Sequence, residues 1–316
     1  MLPRWLRLLR DRNFLLVSSV VLGFALGRTA RLTQNLTLPA LAVAMTVSVT
    51  EVQLRDFRPL SKVVQAALAG IVLTYLLNGA ALLALTRLLM PEADVWTGIV
   101  LLAATPPGVA VIPFSYLLGG DIPFALVGSV GVYLSAVLLM PFIVTLFLGS
   151  AVVSPMRLIV ILFQLLVIPI ALSRLVVASP LNAPIKRWRG SIVNWAFALV
   201  IFTVIGLNRD RILQQPQILV WLLFIGLCTN FGLGFVLEWA LQRMGIQRGR
   251  RLTSVLMGTI KNTSLTAATA LALFSERVSL PAAVVSVTNV LYLVWLGVWW
   301  RDGTRDTEYE TRKTEA

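Results

Sequence analysis

Polar and charged residues along this chain are gathered into short clusters, and between the clusters run apolar stretches of roughly 20 residues, the length at which an α-helix crosses a lipid bilayer. None of the stretches alternates apolar and polar residues as a strand of a transmembrane barrel would. In hydrocarbon only a helix or a closed barrel satisfies its own backbone, so the runs predict helices. Ten spans are expected, at about 13–30, 35–54, 63–85, 96–118, 122–148, 157–178, 190–207, 217–241, 252–275 and 279–300. Two of them are interrupted by residues that break or polarise a helix. The fourth carries Thr105-Pro106-Pro107-Gly108 through Pro113, and the ninth carries Gly258-Thr259-Ile260-Lys261-Asn262-Thr263-Ser264. Two adjacent prolines remove two backbone donors and oblige the helix to open. Interrupted helices at corresponding places in two halves of a chain are the sequence pointer to the binding site of a secondary transporter.

The interruptions lie about 155 residues apart, and the same offset brings Gly120-Asp121 onto Ser275-Glu276 and Arg55-Asp56 near Arg209-Asp210. This predicts one five-span unit present twice, over residues 1–150 and 151–300, with a charged, flexible cytoplasmic tail at 301–316. An odd number of spans per unit inverts the second copy in the membrane. The expected fold is therefore all-α and polytopic, with two inverted five-helix repeats.

Composition agrees with a membrane protein: hydrophobic residues make up 58% and charged residues 13%, and mean hydropathy is +0.85. Charge then orients the chain. With the N-terminus in the cytoplasm, the inner segments hold 19 Lys and Arg and the outer ones 7, and Lys261 within a span completes the 27. That is the asymmetry cytoplasmic loops carry, so both ends are expected inside, in a plasma or bacterial inner membrane. The net charge of +13 is explained by these flanks, and no basic patch interleaved with exposed aromatics suggests nucleic acid. Four Arg within the first twelve residues resemble a signal peptide, but the apolar run leads into a multi-span chain and reads as a retained first span.

An enzyme is not expected, and no cofactor or metal is implied. The chain has no His and one Cys, Cys228, which excludes a His-based triad, a His zinc site and an internal disulfide. Leu118-Gly119-Gly120-Asp121 superficially resembles an intramembrane aspartyl protease motif, yet the second carboxylate which that chemistry requires is missing.

Lys261 is the residue singled out for function. An ammonium at the centre of a span costs roughly 2.5–3.5 kcal/mol on insertion scales, so it points into a polar cavity or is paired. Beside a helix break it can meet an anion or lend itself to proton-linked transport; the structural alternative is an amine paired with carbonyls at the broken ends. Asn262, Thr263 and Ser264 follow it, with Thr105, Pro106, Pro107, Gly108 and Ser115 as their counterparts on the first arm. Asp121 and Glu276 are placed to cap helices. Glu51 and Gln53 fall near the inner end of the second span. Asn78, Gln164, Asn194, Asn230, Glu238 and Asn289 are read as interhelical hydrogen-bonding residues without a transport role.

The stretch from Thr105 through Tyr116-Leu117-Leu118-Gly119-Gly120-Asp121, the run Lys261-Asn262-Thr263-Ser264-Leu265-Thr266-Ala267-Ala268 with Phe274-Ser275, and Met45-Thr46-Val47-Ser48-Val49 with Asp56-Phe57 resemble, in order, motifs of the bile acid:sodium symporter family, a superfamily related to the auxin efflux carriers. The resemblance implies a panel domain of spans 1, 2, 6 and 7, and a core domain in which the broken spans 4 and 9 cross. It also implies that the family's sodium-binding Gln falls on Lys261 and its Glu on Met257, with other ligand positions on Val111, Ile112, Ala125 and Ser129. These side chains do not suit a hard cation. The expected function is secondary transport of a small organic anion by alternating access, proton-coupled or uncoupled, at the crossing of the broken spans. A sodium-coupled symporter of bile-acid-like or keto-acid substrates is the alternative, and a non-transporting membrane receptor or scaffold is the alternative of another class.

Overall fold

A computed structural model describes residues 12–50, 60–90, 92–150 and 154–314. Glu51, Gln53 and the Arg55-Asp56 pair lie outside the described residues. Among those described the protein is entirely helical, without a sheet, and seven helices are long and apolar enough to cross a membrane. We number the elements α1 (Arg12–Ala25), α2 (Ala30–Val49), α3 (Ser61–Leu89), α4 (Ala93–Ala104), α5 (Val111–Leu117), α6 (Ile122–Leu148), α7 (Pro155–Ala178), α8 (Asn182–Gln214), α9 (Pro216–Arg243), α10 (Arg248–Thr259), α11 (Thr263–Leu273) and α12 (Glu276–Thr314).

Each expected interruption is a true break. The fourth span is the pair α4 and α5, and the ninth is α10 and α11, so neither arm alone has the length to cross. Thr105 ends α4 in an extended conformation (φ −77°, ψ 152°), which is what a residue before proline adopts to clear the pyrrolidine ring. The boundaries of α10 lie 155 positions after those of α4, at 248 against 93 and at 259 against 104. Three helices also widen locally into π turns, at Val72–Gly79 in α3, Phe163–Val167 in α7 and Cys228–Gly232 in α9. Such turns are tolerated where they aim a side chain at a specific partner.

Helices α1, α2, α7 and α8 pack on one another, and α3 to α6 pack with α9 to α12 around the breaks. Within the second group α4 lies beside α11, and α5 beside α10, so the first arm of each broken span meets the second arm of the other. Helix α8 runs from residue 182, eight positions earlier than expected, because Lys186, Arg187 and Arg189 continue the helix beyond the apolar segment instead of ending it. Helix α12 likewise continues through Thr314, so the charged stretch after Arg301 keeps helical backbone despite its lack of apolar periodicity.

Asp121 caps α6 as expected: its Oδ1 accepts from the Phe124 N–H at 3.0 Å. Asp121→Ala should cost about 1 kcal/mol, seen as a lowered unfolding temperature of the purified protein with its helical content unchanged.

Candidate functional site

The two breaks touch through their backbones. Gly108 N–H donates to the Ile260 carbonyl at 2.8 Å, and Asn262 N–H donates to the Pro106 carbonyl at 3.1 Å, pairing Pro107 with Lys261 in an antiparallel bridge. Proline suits this pairing because neither Pro106 nor Pro107 has an N–H to leave orphaned in a buried site. Glycine suits it because a Cβ at 108 would press on Ile260 Cγ2 at 3.1 Å and on the Lys261 carbonyl oxygen at 3.2 Å.

Each break exposes the last carbonyls of a helix, which in an apolar interior must find donors. Those of α10 are met by neutral side chains: Thr74 Oγ1 donates to Met257 O (3.1 Å), Asn78 Nδ2 to Gly258 O (2.8 Å) and Asn230 Nδ2 to Thr259 O (3.0 Å), while in the break itself Asn289 Nδ2 donates to Lys261 O (3.1 Å). Thr74 and Asn78 stand in the π turn of α3 and Asn230 in that of α9, so the widened turns present their side chains to the break. Asn230 is held in turn by Thr288 Oγ1, which donates to its Oδ1 at 2.8 Å.

The carbonyls of α4 are met by a charge. Lys261, 2% exposed, donates from Nζ to Ala103 O (2.8 Å), Thr105 O (2.7 Å) and Thr74 O (3.2 Å), with the Tyr75 ring centroid 5.2 Å away. The amine therefore points at the negative end of the α4 dipole. All three of its donors are engaged. Of the two alternatives in the sequence, the geometry is that of an amine paired with carbonyls at the broken ends.

Beside the bridge lies a cavity of about 50 Å³, lined by Gly108 to Ala110 and Ile260 to Ser264 from the breaks, by Ser286 and Asn289 of α12, and by Leu16 of α1 and Phe197 and Ile201 of α8. It thus sits between the two groups of helices. Gly108, Lys261, Asn262, Thr263 and Ser264 come together here. Thr105, Pro106 and Pro107 are buried in the bridge behind it, where Thr105 Oγ1 lies 3.2 Å from Thr266 Oγ1. Ser115 is turned away, accepting from Thr253 Oγ1 at 3.2 Å, and fastens α5 to α10. Ser286 and Asn289 had no signal beyond being polar residues within an apolar run.

Asn262 is the most informative lining residue. Its Oδ1 accepts from Leu265 N–H at 3.1 Å and caps α11. Since an N–H can be met only by the oxygen, the amide orientation is fixed and Nδ2 is turned from the cap. Nδ2 is buried without a hydrogen-bond partner among the described residues, and the side chain is 3% exposed.

The profile of the sodium bile acid symporter family matches residues 38–215, more than half of the chain. The chain belongs to this family. It is an integral membrane transporter and not an enzyme. The matched stretch contains the first break, and the second lies beyond it. No curated protein matches the chain.

The positions that the resemblance equates with sodium ligands carry mostly apolar side chains in this chain. Met257 is fully buried, and its terminal methyl fills the space over Gly70 and Gly128, 2.6 and 2.9 Å from where Cβ atoms would stand. Val111 shares its apolar cluster, Ile112 and Ala125 pack together in another, and Ser129 contributes a single buried hydroxyl. A hard cation requires several oxygens.

Proposed function

We propose that the protein carries a small organic anion by alternating access, proton-coupled or uncoupled, and that the anion is held where the breaks meet. One observation carries this reading: Asn262, whose amide nitrogen has no hydrogen-bond partner among the described residues, lines the cavity at the N-terminal end of α11. A donor beside the positive end of a helix dipole favours a negative group. Thr263 and Ser264 add hydroxyls to the same wall.

The place of the cavity between the two groups of helices supports alternating access. In this conformation it has room for only a few waters, so an organic anion requires the α1, α2, α7 and α8 panel to move away from the core that carries the breaks. The 155-residue correspondence of α4 with α10 supports two inverted repeats, which supply oppositely facing states from one architecture. The excess of Lys and Arg in alternate loops supports both termini in the cytoplasm.

The test is uptake of labelled organic anions into vesicles holding the purified protein, with sodium and proton gradients imposed separately. Flux is expected without sodium, and either with a proton gradient or with the anion gradient alone. Strict dependence on sodium would replace this reading with a sodium symporter, and no flux of any anion would favour a receptor or scaffold.

A further inference from the structure

The carbonyls of Thr74, Ala103 and Thr105 converge on one point, and that point holds a single positive charge. Two of these oxygens belong to the C-terminal end of α4, where the helix dipole is negative, and the third comes from the π turn of α3. The Tyr75 ring stands beside the amine, and among the described residues no carboxylate pairs with it. The charge of Lys261 is therefore balanced by neutral oxygens and a ring face. Such surroundings do not choose an amine over another ion of the same charge: oxygen dipoles aimed at one buried cation are equally what an alkali ion requires.

The neighbouring break makes the contrast. Around α10 each orphan carbonyl has its own amide or hydroxyl donor, so that end is complete without any ion. The α4 end takes its donors from one side chain only, apart from Leu102 O, which Thr105 Oγ1 reaches at 2.8 Å. Withdraw that side chain and the Ala103 and Thr105 oxygens lose this donor in an apolar interior, with the Thr74 oxygen beside them, a costly arrangement that a monovalent cation relieves.

We propose that Lys261 is a tethered cation: its ammonium permanently fills a monovalent-cation cage, so that the core of this carrier is assembled without an ion from solution. The cage does not depend on which solute is carried, although its consequence for coupling rests on the transport reading above. A cation that cannot leave the protein cannot travel with the substrate.

The experiment uses the purified full-length protein and three salts of equal ionic strength, sodium, potassium and choline chloride. The wild-type unfolding temperature should be the same in all three, and labelled sodium should not bind. Lys261→Gln removes the charge and adds an amide oxygen to the three carbonyls. It should unfold at a lower temperature in choline, recover saturably with sodium or potassium, and bind about one labelled cation per chain. Lys261→Ala, which leaves space for the ion, should behave the same way. Saturable sodium binding by the wild type, or folded variants indifferent to alkali cations, would overturn the proposal. If neither variant can be purified in choline, purification rescued by sodium or potassium supports it, and failure in every salt overturns it. Variants that bind the cation while neither they nor the wild type move any anion would sink the transport reading and leave the cage standing.

Discussion

Gly98→Leu should leave no folded carrier to purify. Helix α4 passes α12 at this glycine, and a Cβ here would fall on the carbonyl oxygen of Val278 and within 2.8 and 3.0 Å of Cγ and Cδ of Pro281. Neither obstacle can rotate aside, since one is backbone and the other a ring closed onto it. Ordinary overpacking costs about 1–3 kcal/mol because flexible side chains give way; at Gly98 the helix itself must move. Its last turn carries the Ala103 and Thr105 carbonyls that hold Lys261, so the displacement would spread from one contact to the junction of both breaks. The measurement is the yield of monodisperse protein after extraction, against Gly190→Ala as control. A Cβ at Gly190, within α8, meets nothing within 4 Å, so the control should be neutral or gain up to about 1 kcal/mol of helix propensity. Wild-type yield and unfolding temperature for Gly98→Leu would mean that α4 and α12 are not packed as described.

Much of this arrangement was legible in the sequence, and the division has a physical cause. Apolar run length and helix-breaking chemistry are local properties, so most of the spans could be placed from composition, the first break from Pro106 and Pro107, and the second from the run Gly258 to Ser264. The 155-residue offset also survives at the level of helix ends. The π turns at Val72–Gly79 and Cys228–Gly232 were not legible, since nothing in their residue types separates them from ordinary helix. With them went the roles of Thr74, Asn78 and Asn230, polar residues whose partners lie 29 to 183 positions away in the chain. Lys261 was legible as an anomaly and not as a contact: its cost in lipid flags it, but which carbonyls quench it depends on how α3 and α4 approach. Ser115 illustrates the converse. Its position beside the first break suggested a site residue, and the turn of a seven-residue helix points it at Thr253 instead.

Asn262→Asp should reduce anion flux about 100-fold or more while leaving the protein folded. The substitution separates two functions of one side chain. As cap of α11 the residue needs an acceptor for Leu265 N–H, and a carboxylate accepts as well as an amide oxygen and suits the positive helix end better. As a substrate contact it needs the donor Nδ2, which aspartate replaces with a second, negatively charged oxygen. A hydrogen bond to a charged partner contributes about 1.5–3 kcal/mol, and like charges brought together in a partly dry site add a repulsion of similar order. At about 1.4 kcal/mol per factor of ten, the two exceed two decades together. Asn262→Ala is the complement: it loses donor and cap together, so its flux should fall and its unfolding temperature with it. The comparison requires both readings on the same preparations, initial rates of uptake in vesicles and thermal unfolding in detergent. Were Asn262→Asp to carry anions at the wild-type rate, the amide nitrogen would have no part in recognition, and the anion would have to be sought away from the N-terminal end of α11.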